Sequence, residues 1–146
     1  MTKTNFTSLD VEGHDGSTGG LYIGGTLVTA TAAELNNSTD FGTTQTVATN
    51  TAITVKNGVA LLTTAGALTT TLALPVSGTD DFKRLRILDA SGQAHTVAIA
   101  TTGFGGGGAN FIKATFSGII GDSLNLIAYA GIWYVTGVHQ VTFGVA

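Results

Sequence analysis

A chain of 146 residues with 43% apolar content can bury a single core, with length to spare for an arm. Only 10% of residues are charged and the formal net charge is −3, so the chain has little means of steering toward phosphate backbones, which argues against nucleic-acid binding. Cysteine is absent, which excludes disulfides and thiolate metal sites, while 21 Gly and a single Pro amid abundant Thr describe a β-rich, turn-rich chain.

In chain order, residues 1–45 read as an extended arm. Met1-Thr-Lys-Thr-Asn-Phe6 has no apolar run of the kind a secretory signal needs. Asp10-Val-Glu-Gly-His14-Asp15 and the glycines after it are too polar to build a core. A short apolar patch follows at Leu21, Tyr22 and Ile23, then another at Leu27 and Val28. Thr31 with Glu34 three residues on forms a capping box, which predicts a short helix over 31–36 that includes Leu35 and ends at Asn36 or Asn37. One or two turns of helix are not stable alone in water, so the arm is expected to dock on a partner.

Residues 46–146 read as strand after strand. Thr46–Val47 and Ala52–Val55 alternate, and Asn57-Gly58 predicts a hairpin turn before Val59–Thr63. Thr70–Leu74 is stopped by Pro75, Lys83–Leu88 alternates charged and apolar residues, and His95–Ala100 follows a turn at Asp89–Gly92. After the glycine run Gly105–Gly108 come Phe111–Phe116, then Ser123–Tyr129 and Ile132–Val138 joined by Ala130-Gly131, and a last strand over His139–Val145. The uncharged stretch from Val59 to Gly78 is long enough to cross a membrane, but its Thr, Gly and Pro make it strand-like, so no membrane span is expected. The predicted fold is all-β, an antiparallel β-sandwich or barrel with an extended N-terminal arm carrying one short helix. Both faces of the 123–138 hairpin are apolar, which predicts a cover on each side.

Chemistry is scarce. Asp10, Glu12, His14 and Asp15 are metal-ligand residue types, yet they lack the ligand spacing and bidentate Glu of a hard-cation loop. Gly105–Gly108 shares only composition with phosphate loops, since neither Lys-Ser/Thr nor a helix follows it. His14, His95 and His139 lie in separate segments with no nucleophile motif beside them, and Asp80-Asp81 reads as turn chemistry. No catalytic set, metal site or cofactor site is expected. Trp133, Tyr129, Tyr134, Phe104, Phe111 and Phe116 could form a sugar platform, but Trp133 sits amid Ile132, Tyr134 and Val135, which favours a core or subunit interface.

Val28-Thr-Ala-Thr-Ala-Ala-Glu-Leu-Asn36 resembles a segment that recurs in structural proteins of tailed bacteriophages. Leu72-Ala-Leu-Pro75, Gly78-Thr-Asp80 and Gly121–Val135 resemble a β domain found in phage head decoration proteins, head fibres and some tail fibres. Together these stretches span most of the chain. The resemblance implies a homotrimer, and the short arm-plus-domain layout resembles a capsid decoration (cement) protein that stabilises capsomer contacts on the outer head surface. Its implied partners are sister subunits and the major capsid protein. On that reading Leu21, Tyr22, Ile23, Leu27, Val28 and Leu35 contact the capsid, and Tyr129, Trp133 and Tyr134 contact sister subunits. The competing expectation is a tail-fibre or head-fibre adhesin whose loops Asp89–Gly92 and Gly103–Asn110 touch host glycans.

Overall fold

In a computed structural model the chain divides into two compact units, Met1–Asp40 and Phe41–Ala146. The structure describes residues 42–100, 103–105 and 111–145, together with the backbone of 22–23 and 26–27. In the first unit β1 (Tyr22–Ile23) pairs antiparallel with β2 (Thr26–Leu27), Tyr22 opposite Leu27 and Ile23 opposite Thr26. The helix expected over 31–36 lies outside the described residues.

The second unit is built from strands alone among the described residues: β3 (Thr43–Val47), β4 (Gly58–Leu62), β5 (Thr69–Leu72), β6 (Arg84–Asp89), β7 (Thr96–Ile99), β8 (Phe104–Gly105), β9 (Lys113–Phe116), β10 (Ser123–Tyr129), β11 (Ile132–His139) and β12 (Val141–Gly144). Six of them form one sheet in the order β3-β4-β6-β10-β11-β8, and four form a second in the order β12-β9-β7-β5. Inward residues of both sheets join one apolar core, including Ala60, Leu62, Leu85, Ile87, Leu124, Leu126, Ala128 and Trp133 from the first and Leu72, Val97, Ile99, Ala114 and Phe116 from the second.

The mostly-β expectation holds, but the pairing is mixed rather than antiparallel. β3 runs parallel to β4, β4 to β6, β5 to β7 and β8 to β11. The reason is visible between β3 and β4. Parallel neighbours require a crossover, and residues 48–57 supply it by visiting the other sheet, where Ile53 makes a parallel bridge to Leu72. Asn57-Gly58 therefore opens a parallel strand instead of closing a hairpin. Gly58 has φ 136, and a Cβ there would lie 2.2 Å from the Thr43 carbonyl oxygen, so the close approach of β3 requires glycine. The hairpin at 123–139 forms as the sequence predicts. Its two-residue turn has positive φ at both Ala130 (50°) and Gly131 (79°), the twist that suits a tight hairpin. A register shift between Asn125 and Leu126 skips Thr136, so Leu126 faces Val135 while Asn125 faces Gly137.

Candidate interaction face

The site begins with the two faces of the hairpin. Side chains alternate along a strand, so β10 and β11 write one row inward and one outward. The inward row is Leu124, Leu126, Ala128 and Trp133, all buried. Trp133 is fully enclosed and its indole N–H donates to the Ala73 carbonyl at 2.9 Å. The outward row is Ile127 and Tyr129 on β10 with Ile132 and Tyr134 on β11, paired Ile127 with Tyr134 and Tyr129 with Ile132. None of these four is buried, and Tyr129 is 52% exposed.

Neighbouring strands extend that outer face. β6 alternates exposed Arg84 and Arg86 with buried Leu85 and Ile87, and pairs Arg84 with Ile127 and Arg86 with Asn125. On its other side β4 places half-buried Val59 and Leu61 opposite Arg86 and Leu88. The edge strand β3 adds Thr44 and Thr46 beside Val59 and Leu61. At the opposite edge Tyr134 lies against Gly105, where a Cβ would come within 2.8 Å of the ring, so the parallel approach of β8 depends on the missing side chain.

The turn before β6 completes the face. Phe82 is 71% exposed, has φ 67, and its ring stands 5.7 Å from that of Tyr129. A bulky side chain in the left-handed region is strained, so the surroundings must hold it. The Phe82 N–H donates to the Ala128 carbonyl at 2.7 Å, and Asp81 accepts the Ala130 N–H at 2.9 Å. Beneath them Asp80 is buried between Lys56 and Lys83, each 2.8 Å away, and also accepts the Val76 N–H at 2.7 Å. The Lys56 ammonium first, then Lys83 and the Val76 amide, hold the Asp80 carboxyl well below the usual carboxylate range.

At the far end of the same strands the buried ionisable groups also bind the chain to itself. One oxygen of Asp122 accepts Ser117 N–H (2.9 Å), Ser117 Oγ–H (2.7 Å), Gly118 N–H (3.2 Å) and Ile119 N–H (3.2 Å). Burial pushes the Asp122 carboxyl up, but these four bonds outweigh it and the net shift is downward. Its other oxygen has no hydrogen-bond partner, with His139 Nδ1 at 3.9 Å. Asp89 accepts from Ser91, Gly92 and Gln93 and so closes the β6–β7 turn.

Asp89, Ser91 and His95 look at first like a nucleophilic triad. His95 is fully buried, with Nε2 2.7 Å from Ser91 Oγ. The Leu68 N–H, however, donates to His95 Nδ1 at 3.2 Å, which assigns the ring proton to Nε2. That nitrogen then donates to Ser91 Oγ and cannot take its proton, while the Ser91 hydroxyl donates to Asp89 at 3.1 Å. The chain of donors runs His to Ser to Asp, which is the reverse of what an activated serine needs. Burial pushes the His95 imidazole below its ordinary value and the Asp89 charge opposes this. The group serves as a neutral buried brace.

Of the residues expected to make contacts, Tyr129 and Tyr134 lie on the outer face, and the structure adds Phe82 and Arg84 beside them. Trp133 is corrected from a subunit contact to the core, because it is fully buried in the apolar cluster that both sheets contribute to. Tyr22, Ile23 and Leu27 lie in the β1–β2 hairpin, whereas Leu21, Val28 and Leu35 fall outside the described residues, as do Asp10, Glu12, His14, Asp15 and Gly106–Gly108. Phe82 was hidden in the sequence by its place in a polar turn. Its signal was an aromatic two residues after the Asp80 turn with no apolar neighbour to pack on.

Among the described residues no group of three or more His, Asp or Glu is arranged to hold a metal ion, and no helix is long and apolar enough to cross a membrane. No family model matches the chain. No curated protein matches it either. A solved structure titled "Structure of a chaperone-substrate complex" overlaps with 66% of this chain and 18% of that chain, at 14% identity and a TM-score of 0.39. A likeness of that size carries no weight on function.

Proposed function

We propose that this protein is a structural component of a bacteriophage virion, a decoration (cement) protein that acts as a homotrimer on the outer surface of the head and works by contact rather than catalysis. The observation that carries the reading is the outer face of the hairpin, an aromatic and aliphatic surface that no described part of the chain covers. Exposed rings of this kind, with an adjacent guanidinium, have the composition of protein-binding hot spots. The resemblance of the arm and β-domain motifs to tailed-phage proteins supplies the setting. On this reading the two sheets stack as a sandwich, Tyr129 and Tyr134 meet sister subunits, and the arm, with its short helix, reaches the major capsid protein. Three arms on one trimer would bind with avidity, so weak single contacts would suffice. The buried Asp80, Asp89, His95 and Asp122 support it indirectly, since each of these four is spent on the fold.

The test is the mass of the full chain in solution. Native mass spectrometry should give a trimer, and Tyr134→Asp should shift it to monomer while circular dichroism stays unchanged. A wild-type monomer, or a Tyr134→Asp protein that remains trimeric, would sink the subunit-contact reading. The competing reading is a receptor-binding fibre module contacting host glycans, and the exposed Phe82–Tyr129 ring pair favours it because sugars stack on such rings. Imaging of virions labelled on this protein separates the two, with label over the head for decoration and at the tail tip for adhesion.

A further inference from the structure

Asp122 uses its two oxygens unequally. The other buried carboxylates among the described residues use both. Asp80 meets Lys83 on one oxygen and Lys56 with the Val76 N–H on the other, and Asp89 divides its donors between Ser91 and Gly92 on one side and Gln93 on the other. Asp122 takes all four of its donors on Oδ2 and leaves Oδ1, also buried, with none. Burial pushes this carboxyl up, but the donors outweigh it, so the group is anionic at neutral pH. A buried anionic oxygen without a partner is costly.

An imidazole stands beside that oxygen. His139 Nδ1 is 3.9 Å from Asp122 Oδ1, too far for a hydrogen bond. The backbone on each side of His139 is fixed. His139 pairs with Ser123 across β10 and β11, and the Gln140 carbonyl accepts the Ser117 N–H at 3.0 Å. Only the ring has freedom, since the side chain is 66% exposed. A carboxylate whose one oxygen is fixed by outer hydrogen bonds while the other faces an imidazole nitrogen is the arrangement of a metal-ligating Asp and His.

We infer that Asp122 and His139 form a binding site for a transition-metal dication of the zinc type, with Asp122 Oδ1 and His139 Nδ1 as its protein ligands and water in the remaining positions. A zinc ion holds such atoms roughly 2 Å away, which sets two tetrahedral ligands roughly 3.3 Å apart, so a small turn of the exposed ring closes the present separation. The nitrogen ligand favours zinc over Mg²⁺ and Ca²⁺, which take oxygen. The location supplies a role. The β9–β10 turn and the β11–β12 corner are both places where the chain passes between the two sheets, and an ion bridging them fastens the two crossings together.

The full chain, isotope-labelled and without an affinity tag, is titrated with ZnCl₂ at about pH 7.5, where an ordinary imidazole is neutral. NMR follows the backbone amides and histidine rings, with MgCl₂ as the comparison. Zn²⁺ is expected to shift the His139 ring and the amides of Ile119–Ser123 and Val138–Gln140 to saturation, and Mg²⁺ to leave them in place. His139→Ala, a change at an exposed side chain, should weaken the Zn²⁺ response of the Ile119–Ser123 amides at least about tenfold. His14→Ala should leave that response unchanged, which separates this site from Asp10, Glu12, His14 and Asp15. The absence of a Zn²⁺ response at His139, equal shifts with Mg²⁺, a response confined to the segment around His14, or equal binding by His139→Ala overturns the inference. So does a His139 ring that moves onto Asp122 on acidification yet ignores Zn²⁺, because the free oxygen would then answer to a proton and not to a metal.

Discussion

The inner and outer rows of the β10–β11 hairpin come from the same strands and differ in everything but spacing. Inward, Leu124, Leu126, Ala128 and Trp133 are closed off, and the one polar atom among their side chains, the indole nitrogen, has its acceptor at Ala73. Outward, Ile127, Tyr129, Ile132 and Tyr134 are as apolar in composition yet remain accessible, next to exposed Arg84 and Phe82. Apolar residues on both faces of a strand therefore do not establish burial on both. What separates the rows is polar satisfaction: the single polar atom of the inner row has its partner, whereas the outer face leaves hydroxyls and guanidinium groups to solvent or to another molecule.

Truncation on the inner row should cost most. Trp133→Ala removes a fully buried ring and leaves the Ala73 carbonyl without its donor, so urea unfolding should show a loss of about 3–5 kcal/mol. A loss under about 1 kcal/mol would mean that the ring's surroundings do not depend on it, and the contrast between the rows would fail.

The buried brace under the sheet ends should come next. His95→Leu leaves the Leu68 N–H without its acceptor and Ser91 without its ring contact, at a cost of about 2–3 kcal/mol. It should also change the pH response. Burial lowers the folded-state value of His95 below the ordinary unfolded value of about 6.5, so the unfolded chain binds more protons as the pH drops. His95 thus contributes stability in full above that unfolded value and loses it as pH falls toward the folded one. Urea midpoints measured from pH 8 to pH 5 should decline in the wild type and decline less in His95→Leu. Parallel slopes would assign the titration elsewhere.

How much of this was legible in the sequence follows the range of the interactions. β10, β11 and their turn were readable because Ala130-Gly131 and strand alternation are local signals. The parallel pairings were not, because Asn57-Gly58 has the residues of a hairpin turn and only the detour of Ile53 to Leu72 in the other sheet decides otherwise. Trp133 and Tyr134 could not be sorted between core and surface, since both rows read as apolar and only the placement of the second sheet breaks the tie. Asp80 and Asp89 read as turn residues, which they are, and Asp122 lies in the turn just before β10. Their burial was not readable: Asp80 depends on Lys56, 24 residues back, while Asp89 and Asp122 bond to their own turns in a way that solvated turn aspartates also do. The brace at His95 depends on Leu68, 27 residues away.

A smaller effect is expected at the clamp beneath the aromatic turn. Asp80→Asn keeps the size of the side chain but removes its charge, and the half-exposed Lys83 can turn to solvent, so about 2 kcal/mol should be lost. The sign with pH is fixed by the downward shift. The wild type holds this contribution above the ordinary unfolded carboxylate value of about 3.9 and loses it as pH falls toward the lower folded value. Acid unfolding followed by circular dichroism should therefore separate the two proteins widely at pH 6 and bring them together in strong acid. A constant gap at all pH values would show that the charge is not what matters.

The least effect on stability, and the sharpest separation of the two rows, is expected at Phe82. Its backbone has φ 67, a region that costs an ordinary side chain about 1–2 kcal/mol and that Asn enters more readily. Against this, Phe82 is 71% exposed, with its ring tilted against that of Tyr129, so little burial is lost on substitution. Phe82→Asn should leave the urea midpoint unchanged or raise stability by up to about 1 kcal/mol. If stability instead falls by more than about 1 kcal/mol, the ring serves the fold and belongs energetically with Trp133. If it does not fall, the chain carries a strained, exposed aromatic that folding does not require. Its place beside Tyr129 and Arg84 then fits contact with another molecule, and if the proposed trimer forms through this face, native mass spectrometry of Phe82→Asn should show it weakened even though the protomer is intact.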